Sequence, residues 1–187
     1  MTRTPEQDLL PELFKTRERV AILTAVLESP ACTVQEIAGA TGITKGLVSR
    51  YLSMLAEKEI LTREGRGYRL RSGALVRQVK ILINTGRAGA ILKLPAWAKG
   101  IGMYGSWAGG TNTKESDLDI WITADLLPPP EVVASLEREW KQKLQVDLHL
   151  LILTPEKIRV LREQDKPFLS SFDREAITLE GSEYERN

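Results

Sequence analysis

The apolar positions of the first 72 residues predict two helices of modest length followed by a longer one. Apolar residues at helical spacing occupy 16–27, and Pro30 ends that run. Thr33 stands three residues before Glu36, which is the spacing of a capping box, and Gly42 closes a short second segment. Thr44 then caps a third helix with an apolar stripe along one side. The stripe consists of Leu47, Val48, Tyr51, Leu52 and Leu55.

After the third helix the helical spacing gives way to two short strands. The segment 60–71 predicts a β-hairpin whose turn spans residues 64–67, because glycines there allow a tight reversal of the chain. The pattern changes again at Ser72 and Gly73, so we predict two domains, over residues 1–72 and 73–187. Apolar spacing over 73–100 predicts one or two connecting helices, broken at Gly86 or Gly89 and again near Pro95.

The second domain mixes strands and helices. An apolar strand is predicted over 101–104, and residues 117–122 alternate in the manner of a second strand. Prolines at 128–130 set off a predicted helix over 131–144, which precedes a strand over 145–154. We therefore predict an α+β protein whose second domain is a short mixed β-sheet flanked by helices.

Composition indicates a folded, soluble chain and limits the classes of partner that it can bind. The 187 residues are 42% hydrophobic and 27% charged, and 26 Lys and Arg against 25 Asp and Glu leave a net charge of +1. A basic surface that attracts nucleic acid must therefore be local. The one cysteine, Cys32, is expected in a loop between the first two helices; it allows no internal disulfide and suits a reducing compartment. Without a signal peptide or spanning segment, a cytoplasmic location and no membrane partner are expected.

A local excess of positive charge lies in the third helix and the hairpin. Residues 44–71 contain seven Lys or Arg against three Glu, a local charge of +4. A helix that enters the DNA major groove needs small polar and basic side chains at its exposed start, and a hairpin that touches phosphate needs basic ones. The same charges also suit a solvated face on a module for dimerisation or protein contact. The candidate DNA-binding residues are Thr44, Lys45, Ser49, Arg50, Arg63, Arg66 and Arg69.

The order of helix, short helix, turn, longer helix and hairpin resembles the winged helix-turn-helix family. The segment TVQEIAGATGITKGLVSRYLSMLAEKEILTREGRGYRL matches that family along its length. The resemblance implies double-stranded DNA as a partner, bound through the residues given above. Because winged helices commonly bind two-fold sites as dimers, we also expect a homodimer.

The most specific pattern in the chain is IGMYGSWAGGTNTKESDLDIWIT. Gly105 permits close backbone approach, and Ser106 offers an amide and a hydroxyl, which makes the pair a candidate phosphate cradle. Asp117 and Asp119 share one face of a strand, an arrangement that is costly unless a cation lies between the carboxylates. Oxygen ligands favour Mg²⁺ or Mn²⁺. If the strand that carries Asp147 lies beside this one, three carboxylates converge.

These residues resemble the minimal nucleotidyltransferases of the DNA polymerase β superfamily. The family pattern is an apolar residue, Gly-Ser, a spacer, Asp-apolar-Asp and a later strand aspartate. Residues 104–106, 117–119 and Asp147 match it in order and spacing. The segment PFLSSFDREAITLEG also looks like the closing helix and short strand of the family, so the resemblance covers roughly residues 74–181.

The resemblance implies transfer of a nucleoside monophosphate from an NTP, with ATP as the expected donor, and release of pyrophosphate. By that resemblance Gly105 and Ser106 hold the phosphates of the nucleotide. Asp117 and Asp119 bind Mg²⁺ or Mn²⁺ as catalytic and metal-binding residues. Asp147, the third catalytic residue, completes one metal site and helps to activate the acceptor.

The spacer departs from the family pattern. Many members have Gly-Ser-Arg-Ala-Arg-Gly where this chain has Gly-Ser-Trp-Ala-Gly-Gly, so Trp107 and Gly109 replace two cations that could bind triphosphate. Lys114 is the candidate nucleotide-binding replacement. The tryptophans are expected in the core or at its rim, with Trp107 as the candidate for stacking on a base. His149 shares a strand face with Asp147 and is either a neighbour of the site or a structural residue at a sheet edge.

Two functions fit the whole sequence. The first is a Mg²⁺-dependent nucleotidyltransferase with a DNA-binding module; by analogy with small family members, the acceptor is a partner protein such as a toxin. The alternative is a DNA-binding transcriptional regulator whose second domain is an inactive nucleotide sensor or docking module. Metal-dependent turnover separates the first from the second, which predicts only salt-dependent DNA binding.

Overall fold

A computed structural model describes residues 13–183 of the chain, which form two compact units. The first unit extends to Lys80 and the second begins at Ile81. This division falls inside a helix, whereas the predicted boundary at residues 72 and 73 stands just before that helix, so the boundary stays a prediction. Within residues 13–183, no helix combines the length and the hydrophobicity needed to cross a membrane.

Between Arg17 and Leu70 the first unit contains three helices and a small antiparallel sheet, as the sequence predicted for the helices and the hairpin. The strands lie in the order β1-β3-β2. The hairpin reverses at Gly65, whose positive φ of 55° explains the glycine there. The elements are α1 (Arg17–Leu27), β1 (Ala31–Cys32), α2 (Val34–Thr41), α3 (Lys45–Glu57), β2 (Leu61–Glu64) and β3 (Gly67–Leu70).

The predicted helix ends of the first unit are confirmed in part. Glu36 N donates to Thr33 Oγ1 at 3.2 Å and Thr33 N donates to Glu36 Oε2 at 2.8 Å, so the capping box is formed. Gly42 ends α2 in the left-handed conformation, with φ of 70°. Thr44 occupies the N-cap position of α3, but its side chain makes no capping hydrogen bond there, so that cap is positional only. The α3 stripe packs as predicted, with Val48, Tyr51, Leu52 and Leu55 buried and Leu47 partly buried.

The expectation that Cys32 lies in a loop is wrong. Cys32 belongs to β1, where it pairs with Tyr68 of β3 and is buried at 5% exposure. The two-residue strand was missed because so short a segment has no visible alternation. Burial, with a smaller contribution from Glu36, raises the pKa of the Cys32 thiol to about 11.

The Cys32 thiol is therefore expected to resist alkylation in the folded protein. A thiol with so high a pKa is almost wholly protonated at neutral pH, and the thiolate is the reactive form. Reaction with iodoacetamide at pH 8, followed by mass spectrometry, should label less than ~10% of the folded chain and all of the guanidinium-unfolded chain. Rapid labelling of the folded protein would contradict the placement of Cys32 in β1.

The second unit contains the predicted mixed sheet with helices around it. Its strand order is β6-β5-β4-β7, in which β5 and β6 are parallel and the other two pairs antiparallel. The predicted closing helix and strand are confirmed as α8 and β7. The elements, beginning with the helix that the two units share, are α4 (Ala74–Ile91), β4 (Gly100–Tyr104), α5 (Gly105–Gly109), β5 (Leu118–Thr123), α6 (Pro130–Leu144), β6 (Leu148–Leu153), α7 (Pro155–Gln164), α8 (Lys166–Glu175) and β7 (Ile177–Gly181).

The predicted break at Gly86 or Gly89 does not occur, because α4 runs unbroken to Ile91. Glycine inside a helix costs only about 1 kcal/mol relative to alanine, which tertiary contacts can outweigh. Here Ala88 and Leu92 are buried in the core of the second unit. The expected stop near Pro95 is confirmed, since no helix continues past it.

The two faces of the sheet carry different cores, which decides where polar side chains can gather. Leu118, Ile120 and Ile122 point into the larger core, shared with α4, α5 and α6. The alternate residues of β5 point the other way, where Trp121 packs on Phe172 of α8. Asp119 falls on this second face by the same alternation. Asp119 therefore lies on the face of the sheet that carries the smaller core.

Candidate functional site

Strand register brings the predicted acidic residues to one end of the sheet. Asp119 pairs with Tyr104 of β4 on one side and with His149 of β6 on the other. Leu118 N donates to the Asp147 carbonyl at 2.9 Å, which continues the β5 and β6 pairing by one step. Asp117 and Asp147 therefore stand side by side, just before two parallel strands begin.

The glycine of the Gly-Ser pair lies against one of the aspartates. Gly105 follows Tyr104 directly and has a positive φ of 65°. A Cβ built at this position would overlap Asp119 Oδ2. Only glycine therefore meets both requirements, the left-handed backbone and the close approach of a carboxylate. The predicted phosphate cradle and the predicted metal ligands are in direct contact.

Hydrogen bonds fold the spacer back onto the Gly-Ser turn. The Ser106 carbonyl accepts from Thr111 N at 2.9 Å and Asn112 N at 3.2 Å. Asn84 of α4 donates through Nδ2 to Asn112 Oδ1 at 2.8 Å and to the Trp107 carbonyl at 2.9 Å. The sequence analysis missed Asn84, although a polar residue inside an otherwise apolar helix face is the signal that could have found it.

Trp107 fills the core and does not offer a stacking platform. Its side chain is 1% exposed within the larger core, and the Arg87 guanidinium lies over its ring at 5.2 Å from the centroid. The choice of Trp107 as the candidate for stacking on a base is therefore wrong, whereas the general expectation of core positions is confirmed for Trp107, Trp121 and Trp140.

His149 bridges the two aspartates from the edge strand. Its Nδ1 lies 3.5 Å from Asp119 Oδ1 and its Nε2 lies 3.7 Å from Asp117 Oδ2. Both readings of this residue hold, since β6 is an edge strand and the imidazole adjoins the site. Burial raises the pKa of Asp119, His149 opposes that shift, and the charge on Asp117 adds to it. A positive charge placed beside Asp117 and Asp119 would therefore stabilise the ionised carboxylates.

An aromatic group forms the wall beside Asp119. The centroid of the Tyr104 ring lies 6.0 Å from the ring centroid of Phe168 and 5.3 Å from that of Phe172, and both phenylalanines belong to α8. Burial, and secondarily the charge on Asp119, raises the pKa of the Tyr104 hydroxyl to about 12, so it stays protonated at neutral pH. This wall lowers the local dielectric around one side of the aspartate pair.

The expected convergence of three carboxylates does not occur. The Asp147 carboxylate forms an ion pair with Lys141 Nζ, and this pairing lowers the Asp147 pKa. Across residues 13–183, no group of three or more His, Cys, Asp and Glu side chains is placed to hold a metal ion together. The condition stated for this convergence is met, because β6 lies beside β5, but the spacing of the aspartates gave no sign of a lysine that reaches Asp147 from α6.

A pocket of about 250 Å³ opens beside the aspartates and contains both acidic and basic side chains. Asp117 and Asp147 line it, together with Lys114 of the spacer. Lys141, which the sequence analysis did not single out, supplies a second ammonium group. The pocket therefore holds two cations, where the family pattern places arginines in the spacer.

The donor set at the aspartates fits a hard divalent cation. Asp117 and Asp119 offer carboxylate oxygens on one face, which are the ligands that Mg²⁺ and Mn²⁺ prefer. The imidazole of His149 approaches both carboxylates in this structure, as a positive or dipolar group would. Asp147 is an oxygen donor of the same type, but its carboxylate faces Lys141. Two residues are therefore in place to hold a metal, and the third is paired elsewhere.

The candidate DNA-binding residues share the exposed side of α3 and the hairpin. All seven are exposed, and the α3 members lie opposite the buried stripe. They differ in their intramolecular partners. Arg63 Nη2 donates to Ser53 Oγ at 2.8 Å, and Arg69 Nε pairs with Glu64 Oε1 at 2.6 Å. Arg66 lies in the turn of the hairpin, and its side chain has no ion pair within residues 13–183.

These differences in intramolecular pairing predict different effects on DNA affinity when two arginines of the hairpin are replaced. Arg66→Ala should weaken binding to a specific duplex about 5-fold or more, because a guanidinium without an ion pair can bind phosphate and release counterions. The dependence of the binding constant on salt concentration should also become less steep. Arg69→Ala should weaken it less than 2-fold, roughly, because Glu64 already neutralises that charge. Fluorescence anisotropy across a salt series checks both. Equal effects of the two variants would contradict this distinction.

Comparison with known families matches both parts of the chain. The model of the bacterial regulatory proteins of the arsR family matches residues 16–63. The model of the nucleotidyltransferase domain matches residues 91–177, which span the Gly-Ser turn and all three aspartates. The chain joins an ArsR-type helix-turn-helix to a nucleotidyltransferase domain. No curated protein matches the chain.

Parts of the chain also align with solved toxin–antitoxin structures. A chain of a toxin–antitoxin solved with AMP-PNP is 20% identical over 54% of this chain and 75% of that one, with a TM-score of 0.41. A chain of the tri-AMPylated Shewanella oneidensis HEPN toxin with MNT antitoxin is 16% identical over 55% and 73%, with a TM-score of 0.37. A chain of MntA-HepT is 15% identical over 56% and 73%, with a TM-score of 0.33. The assignment of the two domains rests on the family matches alone.

Proposed function

We propose that the nucleotidyltransferase domain transfers a nucleoside monophosphate from an NTP to an acceptor hydroxyl with Mg²⁺ or Mn²⁺. ATP is the donor to test first. The observation that carries the proposal is the contact between Gly105 and Asp119, on the strand face that Asp117 shares. This contact supports a site where nucleotide phosphates and metal-binding carboxylates meet.

Different residues of the domain would bind the metal ion and the phosphates of the nucleotide. Asp117 and Asp119 would hold the metal ion, which neutralises phosphate charge and lowers the pKa of the attacking hydroxyl when bound. Gly105 and Ser106 would bind phosphate oxygens through the open backbone of the turn and the Ser106 hydroxyl. Lys114 adds a positive charge from the spacer side of the pocket.

The proposed reaction breaks a phosphoanhydride bond of the NTP and forms a phosphate ester bond to the acceptor. The acceptor oxygen attacks the α-phosphorus of the NTP, and the bond from that phosphorus to the bridging oxygen of the β-phosphate breaks. Pyrophosphate leaves with the electron pair of that bond. Asp147, which is 65% exposed, accepts the hydroxyl proton and passes it to water.

A partner protein is the acceptor class that we propose to test first. Asp147 and His149 are each more than half exposed, at 65% and 66%, beside the edge strand β6. A side-chain hydroxyl of a macromolecule can approach such an open edge, whereas a small acceptor gains little from a site without enclosing walls. The helix-turn-helix would bind double-stranded DNA as a homodimer, so that one chain links DNA binding to modification of the partner.

Binding measurements test the site without knowledge of the acceptor. Calorimetry with Mn²⁺ and a non-hydrolysable ATP analogue should show binding to the wild-type protein. The paired variant Asp117→Asn, Asp119→Asn should lose at least ~10-fold in affinity for the metal-nucleotide complex. Equal binding by both proteins would contradict the proposed site. Nucleotide binding without any transfer would instead favour a regulator with a nucleotide-sensing domain.

A further inference from the structure

The ion pair between Lys141 and Asp147 lies inside the pocket of the proposed site. Lys141 stands in the last turn of α6, which ends when Gln145 adopts a left-handed φ of 56°. This reversal carries the chain back so that Asp147 meets the ammonium group of Lys141. Neither side chain is buried, at 57% and 65% exposure. The third carboxylate of the family pattern is thus covered by a cation that belongs to the chain itself.

We propose that Lys141 changes partner during the reaction. In the nucleotide-free protein Lys141 neutralises Asp147, and when the metal ion and nucleotide bind, Lys141 turns to the phosphates while Asp147 turns to the metal. Lys141 is thereby a positioning residue for the triphosphate and a competitor for the third metal-binding carboxylate. This inference rests on the proposed function, whose metal and donor it shares.

The charges of the pocket favour this exchange. A triphosphate carries several negative charges, and the spacer lacks arginines at Trp107 and Gly109. Lys114 and Lys141 are the cations that line the pocket within the described part of the chain. A lysine ammonium on its four-carbon stem can move between anions without any change of backbone. Lys141 therefore supplies charge in the pocket that the spacer does not.

The exposure of the pair makes the exchange easy. Ion pairs between solvent-exposed side chains contribute little to stability, because water solvates both partners well when they separate. The hydrogen bond and charge of Asp147 raise the pKa of Lys141, and Glu137 and Asp117 add to this shift, so the paired ammonium is charged at neutral pH. Lys141 and Asp117 line the same pocket, so the ammonium group lies near one of the proposed metal-binding carboxylates.

The competing interpretation is that Lys141 only joins the end of α6 to the start of β6. A neighbouring lysine separates the two interpretations. Lys143 lies in the same last turn and pairs with Glu139 at 2.6 Å, on the same helix. Lys143→Met removes the same charge from the same turn as Lys141→Met, but leaves the Asp147 carboxylate covered.

The test measures metal and nucleotide binding separately. Without nucleotide, Mn²⁺ binding followed by electron paramagnetic resonance should be at least ~5-fold tighter for Lys141→Met than for the wild type, because Asp147 is freed. The affinity for the non-hydrolysable ATP analogue with saturating Mn²⁺ should fall by at least ~5-fold. Lys141→Arg should restore nucleotide binding, and Lys143→Met should change neither affinity by more than ~2-fold.

The outcomes separate this inference from the proposed function. A wild-type protein that binds no Mn²⁺ overturns the proposed function, and this inference with it. Wild-type binding of Mn²⁺ together with unchanged metal or nucleotide affinity in Lys141→Met overturns the exchange alone. Equal changes in Lys141→Met and Lys143→Met also overturn it, because net charge then accounts for both. Thermal unfolding of each variant verifies that the domain is folded.

Discussion

Replacement of Asp117 and Asp119 together by asparagine is expected to lower nucleotidyl transfer by at least ~1,000-fold. Asparagine keeps the size and shape of each side chain but removes the two negative charges that hold the metal. Transfer is measured as label incorporated from an α-phosphate-labelled NTP into acceptor protein. The loss arises in the chemical step and in metal binding, so it should persist at saturating nucleotide.

Stability should not fall in the aspartate variant, which distinguishes lost chemistry from lost folding. Burial raises the pKa of Asp119, so stability falls as the pH rises above the ordinary aspartate pKa, and the full cost of ionisation is present above the raised pKa. A neutral asparagine removes this cost, and we expect an unchanged or higher melting temperature at neutral pH. Asp125→Asn is the matched control, because Asp125 lies beyond the other end of β5, is 71% exposed and pairs with Lys99. A control that loses as much transfer as the aspartate pair would contradict the assignment.

Gly105→Ala is expected to remove both transfer activity and stability. The new Cβ would overlap the Asp119 carboxylate, and the positive φ of 65° is strained for alanine. We expect the free energy of unfolding to fall by roughly 2–4 kcal/mol and transfer to fall at least ~100-fold, because the carboxylate must move out of place. Chemical denaturation and the label-transfer assay measure the two effects.

Two other glycines separate the causes of that effect. Gly42 has a positive φ of 70° with open space around it, so Gly42→Ala isolates the strain of the left-handed backbone. Gly86 is helical and also open, so Gly86→Ala should stabilise by about 0.5–1 kcal/mol. Both variants should retain full transfer activity. Transfer by Gly105→Ala at the level of Gly42→Ala would contradict the contact between Gly105 and Asp119.

The parts of the fold that the sequence predicted correctly are those with a strong local signal. The capping box at Thr33 and Glu36, the α3 stripe and the alternation across Asp117 and Asp119 depend on neighbours in sequence. The Gly-Ser turn also had a local reason, since only glycine tolerates its backbone. Local geometry favours these features without help from tertiary packing, so neighbouring residues in the sequence are enough to predict them.

The features that the sequence did not predict depend on contacts between distant residues. The strand at Cys32 exists because β3 pairs with it, and α4 passes through Gly86 because the residues that follow it, Ala88 and Leu92, pack into the core. The ion pair of Lys141 with Asp147 needs the left-handed turn at Gln145, which no pattern in the sequence announces. Spacing therefore located the carboxylates, but tertiary structure decided which of them a lysine covers.

The most direct test of nucleotidyl transfer compares two labels on the same nucleotide. Wild-type protein, Mg²⁺ and host proteins are incubated with ATP that carries its label on the α-phosphate or on the γ-phosphate. The account predicts protein-bound α-label, γ-label released as pyrophosphate, and neither product with Asp117→Asn, Asp119→Asn. Protein-bound γ-label, or label transfer that survives the loss of both aspartates, would contradict it.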